Sequence, residues 1–328
     1  MDFRVLVCHN GGVPLVSKEE MNQDESELSL RLAAFEQHRG LLFSIAYRML
    51  GSVTDAEDVL QETFIRWQQA PNEEIHSPRA FLVTILSRLS INHLQSARVR
   101  REEYVGQWLP EPIVTDPASD PLSMIRVDES LSMAFLVLLE RLTPIERAVF
   151  LLREVFEYDY SEIAESLGQT EVNCRQILHR ARQRVNDARP RFKTSAAKRR
   201  DLLERFLRAA SDGNMNDLVS LLSSDVVLHS DGGGKQIAVP NLVHGPENVA
   251  RGVHGGLSRL VPKNLVHRVT DINGELGVVS YLDGKPYSIV TLHVDGDRIR
   301  AIYVLTNPDK LSHIPNLEVT GADSTRST

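Results

Sequence analysis

The stretch Leu142–Val185, LTPIERAVFLLREVFEYDYSEIAESLGQTEVNCRQILHRARQRV, decides how the middle of this 328-residue chain folds. Apolar residues recur at helical spacing from Tyr160 to Leu167, and Gly168 then supplies a helix stop. Thr170 is a good N-cap for a second helix. The sequence therefore predicts two short amphipathic helices joined by a tight turn.

The second of these helices has an apolar face and a basic face. Residues spaced four, three and four apart should point inward, namely Cys174, Leu178, Ala181 and Val185. The outward face carries long hydrogen-bond donors, with Arg180 on its flank: Arg175, Gln176, His179, Arg182 and Gln183. Long donors on a helix whose opposite face is buried suit recognition of bases in the DNA major groove. A helical hairpin with a solvated basic face is the alternative interpretation.

Charge is segregated along the chain. The formal net charge of -7 excludes a globally cationic nucleic-acid-binding protein. Basic residues nevertheless dominate Arg175–Arg200, where Asp187 is the single acid, and Arg88–Arg101, which contains no acid. Local fields of this kind attract polyanions even when the whole molecule is negative.

Cysteine and apolar patterning exclude several classes of protein. Cys8 and Cys174 lie in unrelated segments outside any CxxC motif, which excludes a disulfide scaffold and a thiolate zinc site. The histidines of the rear segment lack metal-ligand spacing, so we expect no metal site, and we predict no cofactor. No apolar run approaches the roughly 20 residues that span a bilayer, and Met1–Asn10 lacks a signal-peptide pattern. We therefore expect a cytoplasmic protein without a membrane partner.

Composition divides the chain into six segments. They are a flexible extension (1–27), a helical domain (28–104), a linker rich in Pro and polar residues (105–127), a second helical domain (128–192), a rear domain (193–315) and a disordered tail (316–328). The basic run Arg191–Arg200 is expected to tether the rear domain to the helices before it. The chain should therefore fold as a multidomain protein with two all-α domains in front.

The residue pattern of the rear domain differs from that of the two helical domains. Two helices are predicted over Lys198–Ala210 and Met215–Leu222. Strands are predicted over Asp225–His229, Leu265–Ile272, Gly277–Tyr281, Tyr287–Val294 and Arg298–Leu305. Pairs such as Asn273-Gly274, Asp283-Gly284 and Asp295-Gly296 are typical of β-hairpin turns. Helices followed by a hairpinned sheet indicate an α+β fold.

An acidic helix is predicted in the front domain. Asp55, Asp58 and Glu62 recur at helical spacing beside an apolar stripe made of Leu60, Phe64 and Trp67. An acidic stripe would be repelled by phosphates, so it favours a basic protein partner. A solvated surface helix is the alternative if the stripe is considered alone.

A second helix in the front domain favours contact with nucleic acid. The run Ser77–Leu94, SPRAFLVTILSRLSINHL, has an apolar face and leads into an arginine cluster made of Arg98, Arg100 and Arg101. Asn92 and His93 are suited to hydrogen bonding with a displaced base, and the arginines suit the neighbouring phosphates. Together, the acidic helix, the basic helix and the helix-turn-helix describe a factor that bridges a large enzyme and DNA.

In this combination, residues 33–190 resemble a bacterial extracytoplasmic-function (ECF) sigma factor. The string Asp55–Trp67, DAEDVLQETFIRW, resembles the family's core-polymerase-binding motif. Ser77–Leu94 resembles its promoter-melting and minus-10 helices, and the helix-turn-helix resembles its minus-35 domain. Asn92 stands where family members often carry Asp, and Gln95–Ala97 stands where they are more basic. Promoter preference is therefore not inherited from the family.

The resemblance implies three sets of contact residues. Contacts to the clamp of RNA polymerase are assigned to Asp55, Asp58, Gln61, Glu62 and Trp67. Contacts to the minus-10 DNA are assigned to Arg88, Asn92, His93, Arg98, Arg100 and Arg101. Contacts to the minus-35 DNA are assigned to Arg175, Gln176, His179, Arg180 and Arg182.

The rear domain resembles the SnoaL-like cone fold, which is related to ketosteroid isomerases. Sigma factors fused to such a domain share three strings that this chain contains. They are WLPEP (Trp108, Leu109, Pro110, Glu111, Pro112), DGGGK (Asp231, Gly232, Gly233, Gly234, Lys235) and NPDKL (Asn307, Pro308, Asp309, Lys310, Leu311). The resemblance implies that the rear domain contacts the sigma domains within one chain and regulates them. The sign of that regulation stays open.

Two functions from different classes remain. The first is a sigma factor that binds core RNA polymerase, directs promoter-specific initiation and is regulated by its own rear domain. The second is a ligand-sensing helix-turn-helix regulator that does not act through the polymerase core. The acidic stripe favours the first, because a simple DNA-binding protein does not need it. An unknown small ligand of the rear domain stays open, whereas no catalytic residue is assigned and no enzyme activity is expected.

Overall fold

The structure is a computed structural model. It describes residues 18–71, 75, 77–102, 104–115, 131–186, 194–236, 238–259 and 262–317. At the margins of several of these ranges the backbone alone is described. The front unit consists of helices α1 (Lys18–Leu50), α2 (Val53–Gln69) and α3 (Pro78–Glu102). Residues 18–27, predicted to be part of a flexible extension, are helical and continue into α1. They contain neither Gly nor Pro, so nothing in the local sequence stops that helix.

The middle unit consists of four helices: α4 (Met133–Leu139), α5 (Pro144–Glu154), α6 (Tyr160–Leu167) and α7 (Glu171–Asn186). Gly168 ends α6 with a positive φ of 63°. The Thr170 hydroxyl accepts a hydrogen bond from the Asn173 backbone amide (3.2 Å), which caps α7. The four inward positions predicted for α7 are buried. The predicted helix-turn-helix is therefore confirmed.

The front and middle units share one hydrophobic core. Helix α3 packs on α6, and α1 packs on α5. Arg147 of α5 is buried in this contact, and its guanidinium donates to the Met49 carbonyl oxygen (2.6 Å) and to Glu140 (2.8 Å). These acceptors are needed because an unpaired buried charge is costly. The two helical units therefore pack directly against each other in this structure.

The rear domain is α+β, as predicted. Its elements are α8 (Ala196–Ser211), α9 (Met215–Leu221), β2 (Leu222–Asp231), β3 (Val243–His244), α10 (Pro246–Arg259), β4 (Val266–Ile272), β5 (Glu275–Leu282), β6 (Lys285–Asp295), β7 (Arg298–Leu305) and α11 (Pro308–Leu311). Each predicted strand overlaps an observed strand. Lys198–Arg200, which the sequence assigned both to the tether and to the start of a helix, lies in α8, whose apolar side packs in the core.

The sheet includes a strand from the linker. Strand β1 (Val114–Thr115) pairs with β4, and the strand order is β1-β4-β5-β6-β7-β2-β3. Strands β2 and β7 are parallel, and the other pairs are antiparallel. Positive φ at Asn273, Asp283 and Gly296 confirms the predicted hairpin turns. The linker is thus part of the rear sheet.

Both faces of the sheet are covered. Helices α8, α9 and α10 cover one face, where Phe206, Leu218 and Ile302 belong to one cluster of buried residues. On the other face, Leu109 of the linker and Met133 of α4 belong to the same cluster of buried residues as the sheet. The rear sheet therefore packs against the linker and the middle unit. Among the described helices, none is long and apolar enough to cross a membrane.

Candidate polymerase- and nucleic-acid-binding sites

The predicted acidic stripe lies on α2. Asp58 and Gln61 are exposed and line a groove of about 300 Å³ between α1 and α2. Asp55 and Glu62 are half-buried; Asp55 faces His93 of α3 (3.2 Å), and Glu62 pairs with Arg66 (2.8 Å). The other residues that line the groove are Leu32, Phe35, Glu36, Arg39, Glu57, Leu60 and Phe64. An apolar floor with acidic edges suits a partner that carries both apolar and basic side chains.

Trp67 requires a correction. The sequence assigned it to the polymerase contact, but its side chain is buried in the core. Its indole nitrogen donates to the Arg31 carbonyl oxygen (2.9 Å), and the Arg31 guanidinium donates to the Trp67 carbonyl oxygen (2.5 Å). Trp67 therefore joins α1 to the end of α2 and does not form a contact surface.

Arg88, on the basic side of α3, is bound to helix α6 in this structure. The Arg88 guanidinium donates to the carbonyl oxygens of Ser166 (2.8 Å) and Glu165 (3.3 Å) in the last turn of α6. A helix C-terminus favours a cation because its last carbonyl groups lack partners within the helix. The Thr84 hydroxyl also hydrogen-bonds the Ser166 hydroxyl (3.0 Å). Arg88, predicted to contact minus-10 DNA, is thus held by the middle unit in this conformation.

The other predicted minus-10 residues differ in their surroundings. Asn92 is exposed, whereas His93 is half-buried and faces Asp55 of α2. Arg98, Arg100 and Arg101 lie on α3, but their side chains are outside the described part of the structure. These residues therefore remain predictions.

The predicted minus-35 residues share one exposed face of α7. Arg175, Gln176, His179 and Arg180 line a shallow depression of about 470 Å³ together with Val172. Some of the basic residues are paired with acids of the middle unit: Arg182 with Glu154 (2.6 Å), Arg184 with Glu146 (2.5 Å) and Arg175 with Glu171 (2.7 Å). Only the Arg175–Glu171 pair is exposed at both ends, and such pairs are weak. A phosphate or base acceptor could therefore replace Glu171 at little cost, whereas Glu146 is buried.

The three strings of the linker and rear domain converge on one carboxylate. Asp231 is fully buried and accepts from the Leu109 backbone amide (2.8 Å), the Tyr104 hydroxyl (2.6 Å) and the Lys310 ammonium (2.7 Å). The same ammonium donates to the Leu109 carbonyl oxygen and lies 4.2 Å from the centre of the Trp108 ring. We call these five residues the Asp231 cluster. Burial, and then the contact with Asp231, raise the pKa of Tyr104, so its hydroxyl stays protonated as a donor.

The glycines of DGGGK are closely packed. Gly233 has a φ of 61° and donates its amide to the Asp231 carboxylate (3.0 Å), and a Cβ there would collide with the Asn307 side chain. The neighbouring Lys235 forms an exposed ion pair with Asp309 (2.6 Å). The turn is therefore tightly packed, since the NPDKL segment lies directly against it.

A second contact of the linker lies at the start of α2. The Glu111 carboxylate accepts from the Val53 amide (2.7 Å), the Thr54 amide (3.3 Å) and the Ser52 hydroxyl (3.0 Å). The Glu111 amide donates to the Gly51 carbonyl oxygen (2.8 Å). Amides at a helix N-terminus lack partners within the helix, and a carboxylate there is favoured by the helix dipole. The linker thus caps the helix that carries the predicted polymerase contacts.

A third contact joins the rear domain to the front unit. Asn273, in the β4–β5 turn, donates its side-chain amide to the Tyr47 hydroxyl (2.7 Å), which donates to the Glu111 carbonyl oxygen (2.6 Å). Asn273 also exchanges hydrogen bonds with Ile113 of the linker (2.9 and 2.8 Å). Burial raises the pKa of Tyr47, so its hydroxyl stays protonated. Sequence reasoning found Asn273 as a turn residue but missed its contact, and it missed Tyr47 and Tyr104.

Comparison with known proteins identifies the family. Sigma-70 region 2 matches residues 34–100, and Sigma-70 region 4 matches residues 132–185. The ECF RNA polymerase sigma factor SigJ of Mycobacterium tuberculosis is 36% identical over 299 residues, covering 87% of this chain and 95% of the relative. The chain is an ECF sigma factor.

Two further comparisons agree with that assignment. The probable ECF sigma factor SigI of Mycobacterium tuberculosis is 30% identical over 281 residues and covers 85% of this sigma factor and 94% of the relative. The crystal structure of SigJ matches with a TM-score of 0.69 at 34% identity and covers 86% of this chain and 98% of that one. A sigma factor binds core RNA polymerase and promoter DNA to direct initiation, and it is not an enzyme. The alternative of a regulator that bypasses the polymerase core is not favoured.

Proposed function

We propose that this structure is a closed state of the sigma factor, which the linker and rear domain stabilise and which must open before initiation. The observation that carries the proposal is the contact of Arg88 with the carbonyl oxygens of Ser166 and Glu165. The minus-10 and minus-35 elements lie about 25 base pairs apart, or roughly 85 Å at ~3.4 Å per base pair. Helices α3 and α7 cannot span that distance while α3 contacts α6, which directly precedes α7.

The rear domain supports the closed state because it contacts both helical units. It reaches the front unit through Asn273 and Tyr47, and it packs against the middle unit through Met133 of α4. The Asp231 cluster fixes the linker between these two contacts. A tethered domain acts at a high effective concentration, so moderate contacts suffice. The proposed sign of regulation in cis is therefore negative.

The linker also connects the rear domain to the polymerase-binding helix. Glu111 caps α2, while its own carbonyl oxygen accepts from Tyr47, which is bound by Asn273. Displacement of the rear domain would remove Asn273 from this chain of hydrogen bonds. The cap on α2 would then depend on the linker alone, whereas the groove beside α2 is already accessible in the closed state.

The groove beside α2 is the proposed site for the polymerase clamp. Asp58 and Gln61 are exposed at its edge, so substitutions there should leave the fold intact. Run-off transcription with core RNA polymerase, on DNA upstream of this protein's own gene, should give a discrete transcript. The double variant Asp58→Lys/Gln61→Lys should lose that transcript and core binding in a pull-down. Glu204→Lys, an exposed charge reversal on α8, is the matched control, and equal loss in both variants would refute the groove assignment.

The remaining predicted contacts complete the proposal. We assign Asn92 and His93, with the arginines that follow on α3, to the minus-10 DNA. We assign Arg175, Gln176, His179, Arg180 and Arg182 to the minus-35 DNA. Trp108, Leu109 and the residues of DGGGK and NPDKL are regulatory contacts within the chain. The site of action is the cytoplasm, where core polymerase works.

A distance measurement tests whether the protein opens. Gln95 on α3 and Gln183 on α7 are exposed and can carry spin labels on introduced cysteines, in a Cys8→Ser background. The free protein should give a short distance between the labels. Addition of core polymerase and promoter DNA should lengthen it by several tens of ångströms, toward the separation of the two promoter elements. An unchanged distance in a complex that makes transcript would refute the closed-state proposal.

A further inference from the structure

The DNA-facing helix α7 is contacted by an aromatic side chain from α6. Tyr160 is the first residue of α6, and two guanidinium groups lie over its ring. The Arg153 Cζ is 4.9 Å from the ring centroid, and the Arg175 Cζ is 4.7 Å from it. Tyr160 is half-buried against the core, whereas Arg175 is exposed on the DNA-facing surface. The ring thus joins the core of the middle unit to a side chain that faces solvent.

Neighbouring residues hold the Tyr160 ring and the Arg153 guanidinium in place. Arg153 donates to the Tyr158 carbonyl oxygen (2.7 Å) and to the Asp159 carboxylate (3.2 Å), which holds its guanidinium beside the Tyr160 ring. Asp159 and Glu162 form a capping box that fixes the start of α6. The face of the Tyr160 ring that Arg175 meets therefore has a defined orientation.

The contact suits a base-reading arginine for a geometric reason. A guanidinium stacked on a ring uses its planar face, which leaves its edge N–H groups available for acceptors. Recognition of guanine uses those edge groups, because arginine donates in pairs to the O6 and N7 atoms. One edge of Arg175 faces Glu171 (2.7 Å), and that exposed pair can exchange for a base. Stacking also lowers the entropy that the long side chain would lose on binding DNA.

We propose that Tyr160 is a positioning residue for Arg175 and that it sets the sequence preference of the sigma factor at one base pair of the minus-35 element. This rests on the proposed function of α7 in DNA recognition. Tyr160 itself does not need to touch DNA in this account. Its effect acts through the orientation of the Arg175 guanidinium.

The experiment uses the full-length protein with core polymerase. Run-off transcription is measured on a set of promoters in which each base pair of the minus-35 element is varied in turn. Arg175→Ala should lose the preference at one base pair. Tyr160→Leu, which removes the ring, should weaken the preference at that same base pair by about two- to fivefold. Tyr160→Phe keeps the ring and should match the wild type.

A double variant separates positioning from a general structural role. In the Arg175→Ala background, Tyr160→Leu should have no further effect on the preference, because the side chain it orients is gone. Thermal unfolding checks that each variant folds. If Tyr160→Leu does not fold, Tyr160→Gln, which suits the first turn of a helix and also lacks a ring, takes its place.

The possible results distinguish the two claims. If Arg175→Ala loses a base preference and Tyr160→Leu retains it in full, the positioning role is refuted while DNA recognition by α7 stands. A loss of equal size at every base pair would mean that Tyr160 acts on folding alone, which also refutes the role. If Arg175→Ala keeps every base preference, the assignment of Arg175 to DNA fails first, and the positioning role fails with it.

Discussion

Helices α3 and α7 both carry residues assigned to promoter DNA, but their surroundings differ. On α3, Arg88 and Thr84 are bound to the last turn of α6. On α7, Arg175 and His179 lie on an exposed surface. In the proposed closed state, α6 therefore covers the part of α3 around Thr84 and Arg88. It leaves Asn92 and the face of α7 assigned to minus-35 DNA accessible.

The groove between α1 and α2 is also accessible, unlike the surface of α3 around Arg88. Asp58 and Gln61 border a groove that is accessible in the closed state, although Glu111 of the linker caps the same helix. Core polymerase could therefore bind before the protein opens. In this account the covered surface of α3, and not the groove or α7, is what limits initiation.

The largest expected effect comes from breaking the Asp231 cluster. Asp231→Asn leaves the buried Lys310 ammonium without its carboxylate, which should lower the free energy of unfolding by about 3–5 kcal/mol. Chemical denaturation measures the loss. The label pair at Gln95 and Gln183 should also report more of the open state, because the linker is no longer fixed.

Lys235→Met is the matched control for that variant. It breaks an ion pair between the same two motifs, but Lys235 and Asp309 are exposed. Its cost should stay below about 1 kcal/mol, and the distance between α3 and α7 should not change. Equal costs for the buried and the exposed pair would contradict the role given to the Asp231 cluster.

A smaller effect is expected at the contact between the rear domain and the front unit. Asn273→Gly keeps a residue that tolerates the positive φ of 55° but removes the two side-chain hydrogen bonds, to the Tyr47 hydroxyl and from the Ile113 amide. Leaving these buried groups without partners should cost about 1–3 kcal/mol. Run-off transcription should rise severalfold, because the closed state loses stability while the DNA-contacting residues are unchanged.

Asp283→Gly is the control variant for Asn273→Gly. Asp283 also lies in a hairpin turn with positive φ (49°), but it is exposed and away from the front unit. Transcription by Asp283→Gly should equal that of the wild type. If both glycine variants raise transcription alike, the effect comes from the turns themselves and the contact with Tyr47 plays no part.

The smallest expected effect is a pH dependence of the free energy of unfolding. It arises from His229, on the covered face of the rear sheet. His229 stacks on Tyr303 with 4.9 Å between ring centroids. Burial, followed by the nearby His244 and Arg141, lowers the pKa of His229 to about 4. A lowered pKa means that the folded state keeps the ring neutral. The stability from His229 is therefore present above about pH 6.5 and is lost as the pH falls toward 4.

Urea unfolding at pH 7.5 and pH 5.5 measures this effect. The wild type should lose up to about 1.4 kcal/mol between these values through His229, since the lower pH lies about one unit below the ordinary histidine pKa. His229→Gln should remove this part of the pH dependence. An equal pH dependence in both proteins would assign the loss to other groups.

Local features of the fold could be predicted from the sequence. The inward positions of α7, the stop at Gly168 and the hairpin turn at Asn273 follow from spacing and from backbone preferences within a few residues. The strands of the rear domain follow from alternation in the same way. Such signals survive in a single sequence because they depend on near neighbours.

The contacts that could not be predicted from the sequence have a common physical cause. Trp67, Arg88 and Asn273 each have partners far away in the sequence, such as Arg31, Ser166 and Tyr47. Nothing in the spacing of a helix or a turn shows which distant groups will satisfy its polar atoms. The family's motifs indicated that WLPEP, DGGGK and NPDKL act together, but the buried carboxylate that joins them required the structure.

A reversible cross-link between α3 and α6 tests the closed-state account most directly. The Thr84 and Ser166 hydroxyl oxygens are 3.0 Å apart, so the variant Thr84→Cys/Ser166→Cys, in a Cys8→Ser background, can be joined by oxidation. The oxidised protein should still bind core polymerase but give no run-off transcript, and a reductant should restore the transcript. Each single variant should be unaffected by oxidation. A full transcript from the oxidised double variant would contradict the claim that α3 must leave α6 before initiation.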